Sequence, residues 1–356
     1  MLGESYCEVP FVLTNAIIGN PPYQNIQATE KAKINSAFAS AVYPQFIELA
    51  RKLKPNYVSM ITPSRWMTKT GQGISEEWVD DMIKGNHFIA IYDYYDALDC
   101  FNGVEIKGGV NYFLYSWKYN GKCHYRLRQN GVTSENVEFL DALGAGIIIR
   151  DAVAPHIIDK VKRIEGDYFC QNSFAQYVGP QHFFDKDGVL TTSWAGFVEE
   201  KDETHNVKYY LNKQVSPKGY AWISIADIPK NLDAVPQHKI YLSKAYNGGD
   251  SFPHQIIGKA FYGEPNSVCS QTYLVLGYNA NFSKEMCENI ISYMSTRFFR
   301  YMVFIKKKTQ DNPSSVFEFV PLQNFSKPCS DIDLYVKYGL TDEEIKFIEA
   351  TVKPME

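Results

Sequence analysis

The sequence predicts an α/β chain whose N-terminal region is a mostly parallel sheet with helices packed on its faces. Short β-branched runs, amphipathic stretches between them, and proline or glycine stops at the junctions carry that expectation. Phe11 to Ile18 (FVLTNAII) is the first strand, stopped by Gly19-Asn20-Pro21-Pro22, because two prolines cannot donate to a ladder. Residues 36–53 place Phe38, Val42, Phe46, Leu49, Ala50 and Leu53 at helical spacing, and Lys54-Pro55 ends that helix. Tyr57 to Thr62 is a second buried strand, stopped by Pro63. Glu76 to Lys84 is a helix capped by Ser75 and ended by Gly85-Asn86. Phe88 to Tyr95 and Val110 to Tyr119 are two further strands. Loops at the carboxyl ends of such strands are where chemistry is usually housed, and Asn20 to Tyr23 is the first of them.

After Tyr119 the sequence turns irregular. Residues 1–136 are expected to form the catalytic half, 137–166 a connector with a helix at Ala154 to Ile164, and 167–356 a second, mixed α/β domain. That domain holds turns such as Asn247-Gly248-Gly249, a helix from Lys284 to about Phe299 and a capped terminal helix from Tyr338 to Ile345.

Composition narrows the classes. The 356 residues carry 36 Lys and Arg against 40 Asp and Glu, a net charge of -4, so a polyanionic partner must meet a local basic patch. Seven cysteines without a CxxC pair and seven histidines without HExxH suggest neither a disulfide framework nor a metal site. The first cation is Lys31 and no apolar run approaches bilayer length, so a cytoplasmic protein is expected. Aromatic residues make up 15% of the chain, which suits core filling first and base stacking second.

Asn20-Pro21-Pro22-Tyr23 directly after a buried strand is the most informative tetrapeptide. The exocyclic amine of a base is a weak nucleophile because its lone pair is delocalised into the ring. Acceptors that hold both amino hydrogens favour a pyramidal nitrogen. The Asn20 side-chain oxygen supplies one acceptor and the carbonyl of proline-locked Pro21 another, while Tyr23 can stack on the flat face of the base. Because a duplex hides that amine, the nucleotide must be flipped out or already single-stranded.

With Asn20 to Gln24, the segments YPQFIE (43–48), YVSMITPSRW (57–66) and CFNGVEIKGGV (100–110) make the chain resemble the N6-adenine-specific DNA methyltransferases of restriction-modification systems. The resemblance implies the C-terminal half of a Rossmann-like methyltransferase sheet followed by a target-recognition domain. It implies transfer of a methyl group from S-adenosylmethionine to a flipped adenine of double-stranded DNA, with Asn20, Pro21, Pro22 and Tyr23 as catalytic residues. Phe101 is expected to cover the outer face of the adenine, and Arg65 and Lys107 to contact substrate. In the recognition domain, Arg297, Arg300, Lys306, Lys307 and Lys308 lie among aromatic residues with no acid, a pattern suited to a phosphate backbone; Gln310, Asn312, Ser314 and Ser315 are candidates to reach base edges.

The donor side departs from the family pattern. A Gly-rich loop after a first strand is expected upstream of Asn20, where only 19 residues stand; Gly71-Gln72-Gly73 and Gly144-Ala145-Gly146 do not follow strands. The expectation is therefore that most of the S-adenosylmethionine site is absent from this chain, that a second chain supplies it or the chain is a fragment, and that the chain alone binds the donor weakly. Methylation of RNA or of a protein glutamine, a non-catalytic DNA-recognition subunit, and a nuclease built on Glu105 and Lys107 with Asp96 and Asp99 are the competing readings.

Overall fold

The computed structural model describes residues 15–24, 40–69, 71–103, 106–129, 131–151, 153–167, 172–246, 253–307 and 309–355. It divides into two compact units, residues 1–152 and 153–356. The expected strand residues 11–14, the helical positions 36–39, the turn at 247–249, Glu105 and Lys308 lie outside the described residues.

In the first unit one sheet of six strands runs β1-β2-β4-β3-β5-β6, from β1 (Ala16–Gly19), β2 (Tyr57–Pro63), β3 (Phe88–Tyr94), β4 (Val110–Tyr115), β5 (Cys123–Gln129) and β6 (Val132–Glu138). β1 pairs parallel to β2 and β3 parallel to β5; β4 lies between β2 and β3 and is antiparallel to both. The sheet is thus mixed, not mostly parallel as expected. The short span from Tyr94 to Val110 reverses the chain with no helix long enough for a crossover, which forces β4 to return antiparallel beside β3. The hairpin β5–β6 was read as irregular sequence. Its turn carries Gly131 at positive φ, and β6 is a mostly exposed, polar edge strand with no apolar alternation to reveal it.

Helices α1 (Tyr43–Lys52) and α2 (Glu76–Lys84) cover this sheet. Tyr43, Ile47 and Ala50 of α1 and Val79, Met82 and Ile83 of α2 meet Val58, Met60, Phe88, Phe113 and Tyr115 in one core, around a wholly buried Trp66 stacked on Phe88 with ring centroids 5.8 Å apart. Arg51 joins the helices, reaching Glu48 at 2.6 Å and Asp81 at 2.7 Å, and the Trp78 indole donates to Glu48 at 2.9 Å. Ser75 caps α2, accepting from the Trp78 amide at 3.2 Å.

The second unit contains two three-stranded sheets. Strands β7 (Val207–Tyr210), β8 (Tyr220–Ile223) and β11 (Ser267–Cys269) form one, in the order β11-β7-β8; β9 (Lys239–Ser243), β10 (Phe261–Gly263) and β12 (Tyr273–Leu276) form the other, in the order β10-β9-β12. Its helices are α3 (Ala154–Glu165), α4 (Lys284–Ser295), α5 (Arg297–Lys306), α6 (Asp331–Lys337) and α7 (Asp342–Thr351). The helix expected from Lys284 to Phe299 is two helices. Thr296 ends α4 and caps α5, its hydroxyl accepting from the Phe299 amide at 3.1 Å. The division between the units falls inside the segment 137–166, with α3 in the second unit.

Candidate functional site

β1, β2 and β3 all finish, and β4 starts, at one end of the six-stranded sheet, as their pairing registers require. The loops there carry Asn20 to Tyr23, Arg65, and Phe101 with Lys107, three connections separated in sequence and gathered at one end by topology.

Asn20 stands exposed immediately after β1, Pro21 is buried, Pro22 exposed and Tyr23 half-buried. The exit of this loop is tied down: the Val42 amide donates to the Tyr23 carbonyl at 3.2 Å, and Gln24 forms a β-bridge with Ala41. Burial, and then the Cys100 thiol, raise the Tyr23 phenol above its usual pKa, and among the described residues its buried hydroxyl has no hydrogen-bond partner. Phe101 itself is half-exposed after a 3-10 turn at Ala97–Asp99, its amide donating to the Ala97 carbonyl at 2.8 Å.

The turn after β2, a 3-10 turn at Ser64–Thr68, carries Arg65. Gly108, at φ +89°, packs flat on the Arg65 side chain: a Cβ there would sit 2.6 Å from Arg65 Cγ. Lys107, next to Gly108, is exposed. The Ser64 amide donates to the Gly109 carbonyl at 3.0 Å, so the two turns are joined through the backbone.

Beneath them lies a polar cluster that the sequence did not single out. Asp93, at the end of β3, and Arg150, from the far end of the unit, form a buried ion pair at 2.6 Å. Asp93 also accepts from Ser64 Oγ at 2.7 Å and from the Tyr125 hydroxyl at 2.6 Å, and Arg150 donates to the Gly108 carbonyl at 2.5 Å. Burial, then the charge of Asp93, push the Tyr125 phenol well above its usual range and keep it a neutral donor. Burial disfavours the Arg150 charge, yet Asp93 more than offsets this and holds the guanidinium above its ordinary pKa. A lone Asp in an apolar strand and an Arg 57 residues later were the available signal, and it is a faint one.

Among the described residues, the cations of the expected phosphate stretch are buried or paired. Arg300 is fully buried and donates to the carbonyls of Thr296, Gln255, Lys353 and Ser295. Arg297 pairs with Glu349 at 2.9 Å and Lys306 with Glu318. Lys307 donates to the Gln310 carbonyl at 2.8 Å and to Asn312, and burial pulls its ammonium down to about 8. Residues 298–305 are all buried, so α5 is apolar on every side and belongs to the interior; its cations close carbonyl ends and ion pairs. Asn312 is likewise buried, donating to the Ser243 carbonyl at 3.0 Å. Of the residues offered for a nuclease, Asp96 caps the 3-10 turn through the Leu98 amide at 2.9 Å and Asp99 pairs with Arg128 at 3.3 Å. Among the described residues no three His, Cys, Asp or Glu side chains cluster to hold a metal ion, and no helix is long and apolar enough to cross a membrane.

Residues 15–101 match the family model of the Eco57I restriction-modification methylase. The match runs from β1 through the Asn20 loop to Phe101, so the restriction-modification methylase resemblance read from those residues holds for this segment. An uncharacterized adenine-specific methylase of Mycoplasma pneumoniae (strain ATCC 29342 / M129 / Subtype 1) is 35% identical over 121 residues, which are 33% of this chain and 28% of that protein. The chain thus matches less than a third of the length of that relative. Among solved structures, the type IIG restriction endonuclease BpuSI is 12% identical with a TM-score of 0.36, over 93% of this chain and 49% of that one. The type IIL restriction-modification enzyme MmeI, in complex with DNA, is 9% identical with a TM-score of 0.39, over 84% and 44%.

Neither of the two glycine turns weighed as a donor loop fits S-adenosylmethionine. Gly73 makes room for Ser40, whose Oγ would lie 2.0 Å from a Cβ there, and Gly146 donates its amide to Asp141 at 2.8 Å. A 3-10 turn separates β2 from Gly71–Gly73, and Gly144–Gly146 stands well short of α3, so neither is a glycine loop running directly from a strand into a helix, the arrangement that cradles such a ligand.

Proposed function

We propose that the first unit is the acceptor side of a DNA adenine N6-methyltransferase of the restriction-modification type, receiving a flipped adenine of double-stranded DNA at the sheet end that carries Asn20. The observation that carries this reading is the gathering of the Asn20 loop, Arg65, Phe101 and Lys107 at that one end, within and directly after a segment matching a methylase family. In this reading the exposed Asn20 amide oxygen accepts one amino hydrogen of the base and the Pro21 carbonyl the other. Tyr23, anchored through its backbone to Val42, supplies one flat face, and Phe101 covers the other. Arg65 and Lys107 meet the strand around the extruded nucleotide. S-adenosylmethionine would supply the methyl group, held in this reading by a second chain or by sequence beyond the described residues. Residues 167–356 are the proposed target-recognition domain, contacting DNA elsewhere than along α5.

The test is nucleoside mass spectrometry of DNA from cells carrying the native locus, wild type against Asn20→Ala. The expected result is N6-methyladenine in the wild type and a methylation rate lower by about 100- to 1000-fold in the variant, the usual cost of removing one aimed acceptor or donor. Unchanged N6-methyladenine in the variant contradicts the reading.

A further inference from the structure

The polar cluster beneath the site has features that stability alone does not explain. Asp93 and Arg150 are charged and buried, with side chains 0% and 5% exposed. A buried pair of this kind is commonly replaceable by apolar residues without loss of stability, so stability does not account for its presence and its geometry is the informative feature. The hydrogen bonds supply one. Asp93 Oδ1 accepts from Ser64 Oγ at 2.7 Å and Arg150 Nη2 at 2.8 Å; Oδ2 accepts from Arg150 Nε at 2.6 Å and Tyr125 Oη at 2.6 Å. The guanidinium is then extended to the Gly108 carbonyl through Nη1 at 2.5 Å. A single fork therefore grips the end of β3 on one side and the 106–109 turn on the other, while Ser64 links the same carboxylate to the turn that carries Arg65. Space at this junction is tight: a Cβ on Gly109 would lie 2.1 Å from the Tyr94 carbonyl oxygen and 2.9 Å from Arg150 Nη2.

We infer that Asp93 and Arg150 are positioning residues, holding the Ser64–Arg65 and Lys107–Gly109 turns in the one arrangement in which they can receive an extruded base. This deepens the methyltransferase reading and rests on it for its catalytic consequence; the pinning of the turns does not.

Arg150→Lys keeps the charge opposite Asp93 but loses the planar fork, since one ammonium cannot span the carboxylate and the Gly108 carbonyl together. In the full chain, amide hydrogen exchange of peptides covering 106–110 is expected to speed up at least about tenfold in this variant, while peptides within α2 exchange as in the wild type. Ser64→Ala, a near-isosteric change that guards against a variant that fails to fold, is expected to speed exchange in 64–69. In cells carrying the native locus the adenine methylation rate of Arg150→Lys is expected to fall about 10- to 100-fold, as for a misplaced contact. Unchanged exchange in both turns overturns the inference, and so do loosened turns with an unchanged methylation rate. A wild type that leaves no N6-methyladenine overturns the reading of function instead, and the exchange rates still decide whether Arg150 pins the turns.

Discussion

Gly109 shows how closely the site end is packed. It sits at φ +76° with its Cα facing the carbonyls of Tyr94 and Tyr95, so Gly109→Ala adds left-handed strain to a backbone clash. The expected loss is about 2 kcal/mol or more of unfolding free energy, measured by urea denaturation. Arg300 makes the contrary point about reading cations from sequence. The run from Phe298 to Ile305 has no polar face, and that absence was the available sign of a buried helix. With the guanidinium holding four backbone carbonyls, Arg300→Ala is expected to cost about 3 kcal/mol in thermal or denaturant unfolding and to leave the salt dependence of DNA binding unchanged. A fall in the salt slope by about one would restore Arg300 as a phosphate contact.

Elements with local punctuation were legible. Pro21-Pro22 and Pro63 mark the ends of β1 and β2, and Ser75 marks the start of α2 because its hydroxyl accepts from the Trp78 amide. Strand direction was not legible: nothing within Val110 to Tyr115 says that it enters between β2 and β3, because that is decided by pairing partners more than 40 residues apart for β2. The buried pair of Asp93 and Arg150 was hidden for the same reason. The gathered loops were legible in part, through motifs, although only the register brings them to one end. Burial between sheet and helices also gives the first unit an alkaline limit. The Cys123 thiol of β5 is raised from 9.0 to about 12 chiefly by burial, so the folded state favours the protonated thiol. Its contribution is fully present below pH 9 and is lost as pH climbs from about 9 to about 12. Cys123→Ala is expected to flatten the decline of unfolding free energy across that window; an unchanged decline refutes the assignment.

At the scale of the molecule, the boundary between the units has a measurable consequence. Residues 137–166 read as a connector, yet α3 buries Ala154, Ile157, Ile158 and Val161, and Lys160 pairs with Glu344 at 2.6 Å while Glu165 accepts from the Tyr338 hydroxyl at 2.8 Å. A polypeptide of residues 153–356 is expected to unfold cooperatively, and one beginning at 167 to be less stable by several kcal/mol, given about 1.5–3 kcal/mol for each large apolar side chain buried. Equal stability of the two would place α3 outside the unit. Methylation at this site requires a base to enter at the carboxyl ends of β1, β2 and β3. Photocrosslinking tests that most directly: the full chain is irradiated with a randomised duplex library in which single adenines are replaced by 5-iodouracil, and the crosslinked peptide is sequenced. Crosslinks at Tyr23 or Phe101 are the predicted result; crosslinks confined to residues 153–356, or to the opposite end of the sheet, would contradict it.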